Sequence, residues 1–502
     1  MVVFLLIAFL SSSKSFARSR QTKSQKLRQV YRRQYAELNK KFLVRVEELA
    51  QFCDRNRLTD DAKSIRQIVE PVNPAVSKLS MLPVHVQKKI PVNLSATQKY
   101  WQTKLRTLQT GHARQLYLLS RKSLKVGSPS FAFRLIHEAA HYDPDNKSAR
   151  RLLGFVRQGD RWTTPFTMHM LKRGYVKHEK YGWLPKSHVA RYEKGERYYK
   201  RKWMSVAQET ELRRDFKNAW RIETDHHVVR TNHSLEQGVK IANALEDYYG
   251  FFFQTFAGFF NTPEQLKKLF SGGSTKRGYR KKKYLVYYFR TREEYNRRLV
   301  AKMPNIAMSN GLYMTSDRIV YSFHTPDTDN ISTFYHESSH QIFYESTAKD
   351  RMVATHNHFW VIEGIACYLE SFEKKEKLLS VGNPKSLRLI AARHYLLKDK
   401  YYIPLQQFAA MGLQAFQADE NILKNYAQAA GLSHFFMHYN NGEYRDAFIA
   451  HISQLYAPPR RRRRTATVQS MNVLTGVRYQ TLDEQYKRYM QKMQISMQKN
   501  NR

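Results

Sequence analysis

Cysteine is nearly absent from this chain. Two residues, Cys53 and Cys367, cannot build a disulfide framework, so the fold must rest on a packed core. An exported protein of this size without disulfides suits a bacterial envelope better than an extracellular eukaryotic setting. Acidic residues are also scarce. There are 42 Asp and Glu against 85 Lys and Arg, a formal net charge of +43. Such an excess favours a polyanionic neighbour, an acidic polysaccharide or an anionic surface, yet no recognisable nucleic-acid-binding module is present. The basic residues are dispersed, with local peaks at 276–283 (KRGYRKKK) and at Arg460–Arg464. Long apolar runs are missing as well. Val2 to Leu10 is too short to span a bilayer and is followed by the small-residue site Ser15-Phe16-Ala17, so residues 1–17 read as a secretory signal peptide. The apolar stretch at 251–260, FFFQTFAGFF, is interrupted and belongs to an amphipathic pattern. The expectation is an exported protein, periplasmic, envelope-bound or secreted, with no transmembrane span in the mature chain.

What is present is a pair of motifs. His336-Glu337-Ser338-Ser339-His340 places two imidazoles four residues apart, on one side of a helix and about one turn from each other. That spacing lets two ring nitrogens reach one metal ion, with Glu337 beside the open coordination position. Ile331, Phe334, Tyr335, Ile342 and Phe343 recur at three- and four-residue intervals and supply an apolar stripe for docking. Asp327, Asp329 and Asn330 precede it with helix-start chemistry. A third ligand is needed, and Glu363 in VIEGIACYLE is the natural candidate. A second helix is expected at about 358–374, with Glu363, Cys367 and Glu370 on one face and Gly364 permitting a close neighbour. His356 and His358, between the two motifs, are alternative third ligands.

The HExxH pattern occurs twice. His137-Glu138-Ala139-Ala140-His141 runs into Tyr142-Asp143-Pro144, and the proline ends its helix within a turn. No acidic residue on an apolar helical stretch follows at a useful distance, so packing or solvated histidines are expected there. A metzincin is excluded for the first motif, because Gln341 to Ser346 contains neither the Gly nor the third His that this class requires.

HESSH with the downstream EGIACYLE resembles the gluzincin superfamily of zinc peptidases. More narrowly, ETDHHVVRTNHSLEQG (223–238), YLVYYFRTREEYNRRL (284–299), GLYMTSDRIVYSF (311–323) and YAQAAGLSHFFM (426–437) resemble an uncharacterised bacterial domain-of-unknown-function family frequent in planctomycetes. The resemblance implies that His336, His340 and Glu363 hold Zn2+ and that Glu337 is the general base. It also implies a second donor to the oxyanion, for which Tyr426 is the first choice and His434 the second. Glu370 could orient a ligand histidine. The expected substrate is a peptide or protein, and an edge strand just before the motif helix would bind it by backbone pairing.

The expected architecture is α+β: a gluzincin-like domain over 223–456 with a small mixed sheet and active-site helices. Before it come a helical region over 18–157, with tetratricopeptide-like features and an extended interruption at 70–95, and a connecting module over 158–222. In that module Trp162, Trp183, Trp203 and Trp220 recur at about twenty-residue intervals. They read as anchors on turns and short strands, or alternatively as sugar-binding platforms. Residues 457–502 read as a basic linker and a C-terminal helix. The leading functional expectation is an exported zinc metallopeptidase. The alternative is a non-catalytic envelope or polyanion-binding protein on the same scaffold.

Overall fold

The computed structural model describes residues 23–68, 76–273, 282–326, 330–347, 353–457 and 468–499, with the backbone of 460–461 and 464–465. The signal-like segment, Asp327, Asp329, most of the 276–283 cluster and the Arg460–Arg464 side chains lie outside the described residues. No described helix is long and apolar enough to cross a membrane.

Three long helices, α1 (Lys23–Arg55), α2 (Ala96–Lys125) and α3 (Pro129–Tyr142), form the N-terminal region. A capping box starts α2: the Ser95 hydroxyl accepts from the Gln98 amide, and the Gln98 side chain returns to Ser95. Leu116 and Leu119 of α2 pack against Phe131, Leu135 and Ile136 of α3. The second HExxH sequence falls on α3. His137 is buried, with Nδ1 2.7 Å from Gln254 Oε1 and Nε2 2.7 Å from the Ser80 carbonyl. Glu138 accepts from Arg134 and from the Tyr35 hydroxyl, both at 2.9 Å. These groups tie the core together.

Residues 156–213 fold as three hairpin–helix units. The hairpins Val156–Gln158/Arg161–Thr163, Tyr175–His178/Gly182–Pro185 and Glu196–Tyr199/Lys202–Ser205 lead into the helices Pro165–Lys172, Val189–Glu193 and Val206–Arg213. Trp162, Trp183 and Trp203 hold the same place in the second strand, opposite Arg157, Lys177 and Tyr198. Each indole packs on a group from the preceding helix. Arg150 lies over Trp162 at 5.4 Å, Phe166 meets Trp183 edge-on at 6.1 Å and Arg191 covers Trp203 at 3.7 Å. Arg213 then faces Trp220 at 5.5 Å. The indoles act as spacers between units. Short helices alternate with the hairpins. Trp220 leaves the series: it stands in the first strand of its hairpin, Trp220–Glu223/His227–Thr231, and that hairpin opens the main sheet.

That sheet has five strands: β1 (Trp220–Glu223), β2 (His227–Thr231), β3 (Tyr284–Phe289), β4 (Gly311–Met314) and β5 (Ile319–Phe323), in the order β4-β5-β3-β2-β1. The three central strands are parallel, and β1 and β4 run antiparallel at the two edges. α4 (Leu235–Thr255) and α5 (Ile331–Glu345) contribute Leu245, Phe334 and Ile342 to the core that covers Val229, Val286 and Val320. The helical half comprises α6 (Phe359–Leu369), α7 (Leu387–Leu397), α8 (Ile422–Gly442), α9 (Arg445–Tyr456) and α10 (Tyr479–Lys499). The fold is α+β. A Cβ on Gly364 of α6 would stand 2.5 Å from the Ala429 carbonyl of α8, so only glycine permits this backbone-to-backbone approach. Leu482, Tyr486 and Met490 bury α10 in the same core, so this helix completes the helical half. The α6 helix ends at Leu369, short of the expected 374, and residues Glu373–Lys375 turn into a strand.

Two buried histidines make stability pH-dependent. Burial pushes His112 down to about 4; burial, then the neighbouring His358, pushes His451 down to about 3. Both folded-state values lie below that of the unfolded chain. As pH falls from about 6.5 the unfolded chain therefore takes up protons that the folded chain refuses, and stability is lost. Each histidine should cost roughly 2 kcal/mol between pH 6.5 and 5. Urea unfolding at the two pH values measures the loss, which should be visibly smaller in His112→Phe.

Candidate metal centre

Two helices and one edge strand assemble the site. On α5, His336 and His340 project from one side. Their Nε2 atoms lie 3.1 Å apart. Glu363 of α6 brings Oε2 to 3.5 Å from His336 Nε2 and 3.8 Å from His340 Nε2. The point equidistant from these three atoms lies about 2.0 Å from each, matching the ~2.0–2.1 Å at which zinc is held by imidazole and carboxylate. The three side chains are largely shielded from solvent.

His336 is oriented from behind. Its Nδ1 is 2.8 Å from Glu370 Oε1. Burial opposes ionisation of Glu370, but the His336 hydrogen bond and Arg388 outweigh it and hold the carboxyl down at about 2. A carboxylate only accepts, so Nδ1 carries the proton. Arg388 of α7 grips both Glu370 oxygens, Nε to Oε2 at 2.8 Å and Nη2 to Oε1 at 2.9 Å. The result is a relay Arg388–Glu370–His336 behind the ligand nitrogen, of the kind that fixes metal-binding imidazoles.

Charge favours a cation at the centre. Burial drives His340 toward its neutral, lone-pair form. Burial works against the Glu363 charge, but His340 and His336 keep its carboxyl below the usual range. Burial likewise works against the His336 charge, but Cys367, Glu363 and Glu370 outweigh it and raise the pKa well above the usual value. A cation at the shared point would take the place of that positive charge. A second group, His336 with Cys367 and Glu370, also has its ligand atoms within 4.8 Å of one another. It is the poorer set: Arg388 already neutralises Glu370, and burial keeps the Cys367 thiol protonated by pushing its pKa up.

Glu337 points elsewhere, toward β4. Its Oε2 accepts the Tyr313 backbone N–H at 2.6 Å, and Oε1 has no hydrogen-bond partner among the described residues. The helix runs so close to this edge strand that a Cβ on Gly311 would be 2.5 Å from Thr333 Cγ2 and 3.6 Å from Glu337 Cγ. Glycine at 311 is what lets the carboxylate sit beside the strand.

Tyr426 lies on the second turn of α8. Its ring meets Phe416 edge-on at 5.2 Å, with the Arg388 guanidinium 5.8 Å from its centroid. Burial first, then the Glu363 and Cys367 charges, push its hydroxyl pKa up, so it remains a proton donor near the centre. The second choice, His434, is corrected: it is fully buried, with Nε2 3.0 Å from the Gly382 carbonyl and Nδ1 2.8 Å from the Tyr489 hydroxyl. His356 is exposed, and His358 caps α6 with its ring against His451 at 4.7 Å, so neither joins the cluster. The expected cap from Asn330 is also absent; its side chain instead donates to the Phe323 carbonyl at 2.7 Å.

Three contributors carry no sequence signal: Arg388, the Tyr313 N–H and Tyr456. Tyr456, buried on α9, has its hydroxyl pKa raised by burial and by Glu363, which places it near that ligand. An arginine within LRLIAARHY, a backbone amide and a core-like tyrosine look ordinary in one dimension.

Residues 330–457 match a family model described as "Protein of unknown function (DUF1570)". Every side chain of the cluster, with Glu370, Arg388, Tyr426 and Tyr456, lies inside that segment; the edge strand β4 precedes it. Among curated proteins none matches the chain.

Proposed function

We propose that this chain is an exported zinc metallopeptidase of the gluzincin kind. The observation that carries this reading is the convergence of His336 Nε2, His340 Nε2 and Glu363 Oε2 on one point at zinc-ligand radius, with the Glu337 charge close enough to act on His340. The donor set fits: two nitrogens and one carboxylate leave a position open, as in catalytic rather than structural zinc sites. Bound zinc supplies Lewis-acid chemistry, polarising a carbonyl and acidifying water.

The chain's own residues do the rest. Glu337, fixed through Oε2 by the Tyr313 N–H, keeps Oε1 to take a proton from the attacking water and pass it to the leaving amine. The edge strand β4 offers backbone groups along which an extended peptide can align. Tyr426 supplies a protonated hydroxyl to the developing oxyanion. The basic surface, +43 overall, would hold the protein near anionic envelope polymers.

The test is zinc content of the gently purified protein, together with cleavage of a proteome-derived peptide library with and without chelator. Absence of stoichiometric zinc, or a cleavage profile indifferent to chelator, would remove the assignment. The relay behind His336 gives a separate expectation. Arg388→Met should weaken zinc affinity by about 10- to 100-fold, read by competition with a chelating dye, while the secondary structure stays intact.

A further inference from the structure

The metal cluster leaves unused a partly open cavity of about 410 Å³ bounded by α1, α3, the strand Ser77–Ser80 and the C-terminal ends of α4 and α8. None of its lining residues belongs to the metal centre. It lies where the N-terminal helices meet the helical half, a common place for ligand sites.

One wall is cationic. Arg32 of α1 donates to the Asn441 carbonyl and, at 2.8 Å, to that of Gly442. Arg445 of α9 donates to the Met437 carbonyl at 2.9 Å and to Ser77 Oγ at 3.4 Å. These carbonyls close the end of α8; the full negative charges felt from outside the cavity are Asp446, on both guanidiniums, and Glu443, on Arg32. Among the described residues neither guanidinium is ion-paired. Arg134 alone has a carboxylate, Glu138, at 2.9 Å. Among the described lining residues Lys78 adds a fourth cation, against that single acid. Asp446, just outside, is taken up by the Ser130 N–H at 3.0 Å. Each guanidinium offers five N–H groups, and protein acceptors leave most of them unused.

Burial, with Arg445 and Arg134 nearby, pushes Arg32 down to about 10 against the pull of Asp446 and Glu443, and a further anion in the cavity would add to that pull. The opposite wall is apolar, built from Phe42, Leu43, Leu79, Phe131 and Phe251.

We propose that this cavity binds an amphipathic anion, a carboxylate or phosphate head held by Arg32 and Arg445, with an apolar chain against the phenylalanine wall. An inorganic anion would satisfy only one wall and an uncharged apolar molecule only the other.

Isothermal titration calorimetry on the full chain at fixed ionic strength provides the test, with dodecanoate, dodecyl phosphate and inorganic phosphate as probes below micelle-forming concentrations. At least one amphiphile should bind saturably at one per chain, and the tighter of the two identifies the head group. Inorganic phosphate should bind roughly tenfold more weakly or less, for want of the apolar contacts. Arg445→Met should weaken the amphiphile by about tenfold or more. Ala36→Trp, at an exposed lining position, should block it without removing a charge, and decides the matter if the arginine variant does not fold. No saturable binding of either amphiphile, equal affinity for inorganic phosphate, or unchanged affinity in the folded variants would each overturn the site.

Discussion

Glu337→Gln is expected to keep its metal and lose its turnover. The substitution preserves shape. The side-chain oxygen can still accept the Tyr313 N–H that now holds Oε2 at 2.6 Å, so the α5–β4 junction should survive. The other carboxylate oxygen, which has no hydrogen-bond partner among the described residues, becomes an amide nitrogen that cannot take a proton. Loss of a positioned general base costs roughly 10²- to 10⁴-fold in kcat. Glu337 is not one of the three converging ligands, so zinc per chain should be unchanged by elemental analysis. A variant as active as the parent on a peptide found by library profiling would discard the mechanism and leave the metal question open.

Glu363→Ala is expected to do the opposite, removing the metal itself. Without Glu363 two imidazole nitrogens face each other at 3.1 Å with no third ligand atom converging on them. Two neutral ligands on one helix are a weak site where three, one of them charged, are a firm one. Zinc content should fall from about one per chain to near none, and activity with it. The fold should survive, because Gly364, not Glu363, makes the close contact with α8. His137→Ala offers the informative contrast. That histidine bonds Gln254 and the Ser80 carbonyl, so its loss should lower thermal stability and leave zinc binding untouched. A Glu363→Ala protein that still held stoichiometric zinc would show that another group completes the site.

Much of the site was legible because its spacing is local. The four-residue interval of His336 and His340, the polar face shared by Glu363, Cys367 and Glu370, and the glycine at 364 are each properties of a turn or two of a single helix. Strands over 284–289 and 311–323 were legible for the same reason, since two-residue alternation survives in short segments. The helices Pro165–Lys172 and Val189–Glu193 inside the tryptophan module were not, being too short to repeat the pattern. Nor was the departure of Trp220 from its series, because what distinguishes it is the partner strand β2 and not its neighbours in the chain.

From the amino-acid order alone came the two motifs, the α+β class, the excess of positive charge and the reading of the second HExxH as a bystander. Only the tertiary structure decided that Glu363 comes within 4 Å of both imidazole nitrogens, that Arg388 stands behind Glu370, that Glu337 is tethered to an edge strand, and that His434 is locked in the core. The reason is one of distance. Periodicity reports what a single element presents on each face, whereas a coordination sphere or an ion-pair relay exists only where separate elements meet. Those meetings are set by packing, here by a glycine on α6 against α8 and another on β4 beneath α5.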